Sequence, residues 1–186
     1  MLSWAGGGFC GGLANTVGHH ADRPPERLIE AKLIGVLDAA HAREHEVHLP
    51  FLQMVLGEFD LVPIIAGEAS SQAAAAVLDA VWGGPETLIV VSTDFSHYLD
   101  YRSCQETDRR TAEAIERLDP SALEPESACG RVPVRGLLAA AMRRGMSIVR
   151  LDLRNSGDTA GSRDRVVGYG SWALFEPSAQ QPTEGG

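Results

Sequence analysis

The chain has 186 residues, 44% hydrophobic and 22% charged, which is enough apolar material for one ordinary core. A formal net charge of −9 and the lack of a basic stripe argue against a grip on phosphate backbones, so nucleic acid is not an expected partner. The longest apolar runs, LIVV and LVPIIAG, fall far short of the roughly 20 residues a membrane-spanning helix needs, and the glycine-broken N-terminus lacks the basic start and clean apolar core of a signal peptide. A cytoplasmic protein with no membrane partner is therefore expected, its odd, widely spaced Cys10, Cys104 and Cys129 being reduced thiols.

In chain order, residues 1–40 stand apart as an atypical N-terminal segment that need not be well ordered, and within it only AKLIGVLDAA offers a short run that suits either a helix or a strand. Ala42 to Leu56 predicts a helix interrupted at Pro50, a residue tolerated most easily in the first turn of a following helix. Leu61 to Gly67 reads as a buried strand. SSQAAAAVLDAVWGG has serine caps, good helix formers and a closing glycine pair, so it predicts a helix. Thr87 to Phe95 is β-branched and apolar without alternation, the mark of a central strand covered on both faces. CQETDRRTAEAIERLDP is an amphipathic helix with Ala112, Ile115 and Leu118 on its apolar side, stopped before Pro120. An apolar helix, VRGLLAAAMRRGM, follows, and then SIVRLDLRNSG and RVVGYGSWALF read as two strands joined by a polar loop. The βα alternation predicts an α/β layered fold with a largely parallel central sheet flanked by helices, its main domain covering 41–176 and a disordered tail covering 177–186.

Ligands in open α/β sheets gather at the carboxyl ends of strands, which is where Asp94, Ser96 and His97 fall. A carboxylate beside an imidazole fixes its tautomer and raises its basicity, which suits a general base or a metal ligand. The competing reading is a capped turn with an exposed histidine. Cys129 lies just before a predicted helix and beside Arg131, where the helix dipole and the guanidinium favour the thiolate; the competing reading is a small buried hydrophobe. His41, His45 and His48 share one helix face, although His45-Glu46-Val47-His48 is one residue short of the HExxH zinc pattern, and a polar helix edge is the alternative.

Taken together and in this order, EHEVHLPFLQ, LVPIIAG, LIVVSTDFSHY, AIERLDP, ACGRVPVRGLLAAA and VVGYGSWAL resemble the Memo-like family, known in prokaryotes as AmmeMemoRadiSam system protein B and related in fold to class III extradiol dioxygenases. The resemblance covers roughly residues 38 to 176. It implies a pocket formed by Asp94, His97 and Cys129, with Cys129 and His97 as metal ligands and iron or copper as the cofactor. The family's N-terminal histidine segments do not stand intact here, so the N-terminal part is atypical or truncated, and Gly18-His19-His20 is a faint echo that would supply His19 and His20 as further ligands. The family's E-H-S-x-E-x-x-L-P-F segment is also two residues longer than Glu44-His45-Glu46-Val47-His48-Leu49-Pro50-Phe51, a difference that rotates the two halves of a helix by about 200° relative to one another.

Two functions follow from the resemblance: a metal-dependent redox protein or oxidoreductase of unknown substrate, in which Asp94 orients His97 as acid or base, or a non-catalytic module that binds a small molecule or peptide in the same pocket, an inactive truncated member included. True extradiol ring cleavage is not expected, because that chemistry uses two histidines and a carboxylate where this family places a cysteine. A Cys129-His97-Asp94 hydrolase is a weaker option, since a histidine and its orienting carboxylate only three residues apart make an awkward relay. A homo-oligomer would cover apolar surface left by a shortened N-terminal part.

Overall fold

The computed structural model describes residues 11–16, 31–38, 45–159 and 161–177, with side chains from His48 onward. The strands are β1 (Gly11–Thr16), β2 (Ala31–Asp38), β3 (Phe59–Ala66), β4 (Thr87–Thr93), β5 (His97–Leu99), β6 (Ser147–Asn155) and β7 (Val166–Phe175). The helices are α1 (His45–Leu56), α2 (Ser71–Val81), α3 (Tyr101–Glu116) and α4 (Arg131–Arg143). Of AKLIGVLDAA, which the sequence leaves open between helix and strand, Ala31–Asp38 form β2. The glycine-rich β1 was not foreseen, because nothing in GGLANT alternates or carries a strong strand propensity.

One sheet of seven strands runs β3-β2-β4-β1-β7-β5, with β6 also paired to β7. The expected α/β architecture is present, but the expectation of a largely parallel sheet is corrected. Pairs β2–β3, β2–β4 and β1–β7 are parallel, whereas β1–β4, β5–β7 and β6–β7 are antiparallel. The apolar run in β4 reports burial on both faces, and it is central as predicted. It carries no information about direction, which is reversed where β1 inserts between β4 and β7.

Two further expectations shift for local reasons. Leu61 to Gly67 was read as a buried strand, but among the described residues β3 pairs with β2 alone, and none of its residues is fully buried. An edge position also explains Pro63, whose missing N–H would interrupt a central ladder. Pro50 sits inside α1 instead of opening a new helix. The half-buried stripe Leu49, Leu52 and Leu56 spans the proline, and α1 lies along β2 and β3, so tertiary contact holds the two halves together at the cost of one backbone bond.

The core is one cluster built from β4, β7 and the inner faces of α2, α3 and α4, with Ile89, Val91, Phe95, Leu137, Leu138, Trp172 and Leu174 at its centre. The α2 helix starts at Ser70, whose hydroxyl accepts the Ala73 N–H, and is followed by Gly83 at φ +67°, as its composition predicts. Gly136 lets α4 approach α2 closely: a Cβ there would lie 2.5 Å from the Cβ of Ala74. The close crossing fixes α4 over the carboxyl end of β4, and so fixes the segment that precedes α4. Among the described residues no helix is long and apolar enough to cross a membrane.

Candidate metal centre

The β4 strand ends at Thr93, and the chain turns through Asp94, Phe95 and Ser96 before entering β5 at His97. Phe95 is the anchor of this turn. Its ring is 1% exposed and lies 5.4 Å from the ring of Trp172, while its N–H donates to the Gly168 carbonyl of β7 at 3.0 Å. Ser96 is held on both sides, because its carbonyl accepts the Gly168 N–H at 2.9 Å and its N–H donates to Asp108 Oδ1 at 3.1 Å. With the turn pinned, Asp94 and His97 emerge on the same side and stand 3.4 Å apart, Oδ2 to Nε2.

The register of β5 on β7 slips between His97 and Leu99, and the extra residue, Tyr98, adopts φ +59°. A bulky side chain in the left-handed region is strained, and bulges of this kind recur next to functional sites because they re-aim a neighbouring side chain. Tyr98 itself is 65% exposed, with the Arg165 guanidinium 5.0 Å from its ring centre.

Cys129 arrives from the other side. It immediately precedes Gly130, the residue that caps α4. Gly130 N–H donates to Thr93 Oγ1 at 2.7 Å, and Cys129 N–H donates to the Asp94 carbonyl at 3.3 Å. These bonds stitch the helix start to the strand end and bring Cys129 Sγ to 3.3 Å from the Asp94 N–H, which donates to it, and 3.5 Å from Thr93 Oγ1. An N–H donor aimed at the sulfur and the positive end of α4 both favour a thiolate. The approach requires glycine at 130, where a Cβ would come within 2.8 Å of Thr93 Cβ.

Asp94, His97 and Cys129 thus form a group able to hold a metal ion, with one ligand atom from each lying within 4.8 Å of the others. Tetrahedral ligands at roughly 2.1 Å from a shared ion stand about 3.4 Å apart. The Asp94–His97 separation of 3.4 Å fits that arrangement as well as it fits a long hydrogen bond. Asp94 Oδ1 supplies a second sign of fit, since it is buried and has no hydrogen-bond partner among the described residues. A carboxylate oxygen kept from water without a partner is costly unless something positively charged faces it. Carboxylate, imidazole and thiolate together suit iron, copper or zinc better than magnesium or calcium.

Of the predicted site residues, Asp94, His97 and Cys129 are therefore brought together. His19, His20 and His41 lie outside the described residues, as does the side chain of His45. Sequence reasoning missed Thr93, the link between strand and helix, and it missed the pair beneath Ser96. There Cys104 Sγ donates to Asp108 Oδ2 at 3.0 Å and accepts the Ser96 hydroxyl at 3.3 Å, all three side chains being buried. Burial, reinforced by the Asp108 carboxylate, pushes the Cys104 thiol up to about 12, so it is an inert proton donor at neutral pH. Burial also raises the Asp108 carboxyl above its ordinary value, against the hydrogen bonds from Cys104 and Ser96. Their one signal in the sequence is spacing. Cys104, Asp108, Ala112 and Ile115 fall on one stripe of α3, and a carboxylate on an apolar stripe calls for a partner.

A helix-flanked α/β sheet with an Asp-His-Cys group at the end of its central strand defines the class of protein. The family model described as "Memo-like protein" matches residues 26–173, and the chain belongs to that family. Its relatives include a MEMO1 family protein of Thermotoga maritima, 40% identical over 149 residues, which are 73% of this chain and 52% of that protein. Another, from Thermoplasma acidophilum, is 35% identical over 167 residues, which are 84% of this chain and 62% of that protein. A third, from Methanopyrus kandleri, is 37% identical over 153 residues, covering 73% of this chain and 54% of its own length. The chain thus spans between about half and three fifths of the length of these curated relatives.

Proposed function

We propose that the protein is a Memo-like metal-binding redox protein whose ion is held by Cys129 and His97, with Asp94 as the third member of the site. The observation that carries this reading is the grouping of Asp94, His97 and Cys129, whose ligand atoms lie within 4.8 Å of one another, beside an Asp94 Oδ1 that is buried and has no hydrogen-bond partner among the described residues. Iron or copper, bound there, would supply one-electron chemistry. The chain's own residues do the rest. Asp94 N–H, donating to the Cys129 sulfur, favours the thiolate that would bind the ion, Thr93 ties the sulfur's segment to the central strand, and Asp94 Oδ2, 3.4 Å from His97 Nε2, orients the ring. His97 is 32% exposed along its side chain and Asp94 13%, so where no ion sits on its ring the imidazole is the member of the pair open to proton exchange with a molecule in the pocket. Ring cleavage of the extradiol type is not part of this proposal, because a thiolate takes the place of a histidine in the ligand set. His19, His20, or a second copy of the chain would complete the coordination, and the free thiols of Cys104 and Cys129 support a reducing compartment such as the cytoplasm.

The test is the metal content of purified protein, wild type beside Cys129→Ala. The proposal expects iron or copper approaching one ion per chain in the wild type and a loss of most of it in the variant; negligible metal in both would end it. A second reading, a module that binds a small molecule or peptide without turnover, is favoured by the exposed Tyr98 ring and Arg165 beside the site. It expects saturable peptide binding that survives a chelator, whereas binding that disappears with the metal would refute it.

A further inference from the structure

We propose that Asp108, a residue of α3 hydrogen-bonded to the Ser96 N–H and the Cys104 thiol, is the positioning residue that sets where His97 presents its imidazole. The inference rests on the metal reading above for its functional meaning, but its geometry is independent of any ion. Asp108 is 3% exposed. One carboxylate oxygen accepts the Ser96 N–H at 3.1 Å and the other accepts the Cys104 S–H at 3.0 Å. Ser96 precedes His97 directly, so the bond to its N–H fixes the Phe95–Ser96 peptide and, through the Ser96 Cα, the start of the peptide that carries His97.

The next peptide, Ser96–His97, is held by β7, where the Gly168 N–H donates to the Ser96 carbonyl at 2.9 Å. Gly168 has a second role here. A Cβ at that position would fall 1.7 Å from Asp108 Oδ2 and 2.5 Å from its Cγ, so the space the carboxylate occupies exists only because residue 168 is glycine. Helix and strand thus act as the two jaws of one clamp on Ser96, and the carboxylate fills a slot shaped for it. Stability alone does not call for this choice. A buried carboxyl with raised proton affinity costs desolvation that an aliphatic side chain of similar shape would avoid, so what the carboxylate adds is direction, through two bonds that an aliphatic group cannot make. Orienting partners behind a metal ligand typically change affinity by ~10- to 100-fold when removed.

The experiment compares wild type with Asp108→Leu, which keeps the volume and loses both acceptors, and with Asp108→Asn, which keeps the volume and one acceptor oxygen for the Ser96 N–H. Metal-free protein is titrated with cobalt(II), whose thiolate charge-transfer band reports Cys129 and whose visible d–d bands report the arrangement of the other ligands. The leucine variant should keep the thiolate band, bind cobalt ~10- to 100-fold more weakly and show altered d–d bands, while the asparagine variant recovers most of the wild-type behaviour. A folded leucine variant that matches the wild type in both affinity and d–d spectrum overturns the proposal. If the leucine variant does not fold, Gly168→Ala displaces the same carboxylate from the other jaw and is read in the same way. Should the wild type take up no cobalt, the metal reading fails by itself, and hydrogen exchange decides the clamp. Exchange at the Ser96 and His97 amides at least about tenfold faster than wild type, with α4 unchanged, supports it, and equal protection overturns it.

Discussion

Replacing Gly130 by alanine adds one methyl group at the junction that carries Cys129 to the strand end. Gly130 has φ −90°, which alanine adopts without strain, so the substitution isolates packing from backbone effects. The new Cβ would lie 2.8 Å from Thr93 Cβ, 2.9 Å from Thr93 Oγ1 and 3.1 Å from the Ser92 carbonyl. Thr93 is 2% exposed in a central strand and cannot yield, so the Cys129–Gly130 segment must move out, lengthening the 2.7 Å bond from the Gly130 N–H. Overpacking of this kind costs about 1–3 kcal/mol, and weakening a buried hydrogen bond adds about 1 kcal/mol. The reduced freedom of the unfolded chain returns about 0.4–1 kcal/mol, leaving a net loss of roughly 1–3 kcal/mol. Urea unfolding followed by the fluorescence of buried Trp82 and Trp172 measures it, and metal content should drop in the same variant because Cys129 has moved. A variant within about 0.5 kcal/mol of wild type that binds metal equally well would refute the stitching of α4 to β4 as the source of the site.

Other outcomes follow from the same geometry. Gly136→Ala should lose about 2–3 kcal/mol in urea unfolding, because its Cβ meets Ala74 Cβ at 2.5 Å and backbone atoms at 3.0 Å and 3.1 Å; unchanged stability would mean that α2 and α4 do not cross so closely. Cys104, its thiol held at about 12, should resist iodoacetamide in the native protein and react only on unfolding, as peptide mass spectrometry would show; rapid native labelling contradicts its burial. Asp108 titrates above its ordinary 3.8 in the folded state, so the folded protein holds that proton more tightly, and the stability it lends is lost as pH rises from that value through the raised one. Urea midpoints from about pH 4 to about pH 8 should show the wild type losing ground to Asp108→Asn across that window, and a constant difference would argue that Asp108 titrates normally.

Much of the helical frame was legible because α2, α3 and α4 carry local signals. Ser70 caps α2, Ala112 and Ile115 mark the buried stripe of α3, and Arg143-Arg144-Gly145 closes α4 with Gly145 at φ +64°. The central place of β4 was legible for the same kind of reason. Strand direction and the insertion of β1 were not, because they depend on pairings between residues far apart, such as Leu13 with Val91 and with Trp172. At the site, the two short motifs around Asp94-His97 and Cys129 pointed to residues that the fold brings together, since a strand end and a helix start announce themselves locally. The clamp behind them stayed hidden. Asp108 lies on α3 and Gly168 on β7, and only the fold shows that the carboxylate of one fills the space left by the missing side chain of the other.

The central claim is that Cys129 and His97 bind one ion together, and X-ray absorption at the metal edge of iron- or copper-loaded protein tests it most directly. The proposal predicts a sulfur scatterer at about 2.3 Å together with nitrogen or oxygen at about 2.0–2.2 Å, the sulfur vanishing in Cys129→Ala and the imidazole signal weakening in His97→Ala. A wild-type spectrum containing only nitrogen and oxygen, unchanged by either substitution, would contradict the account.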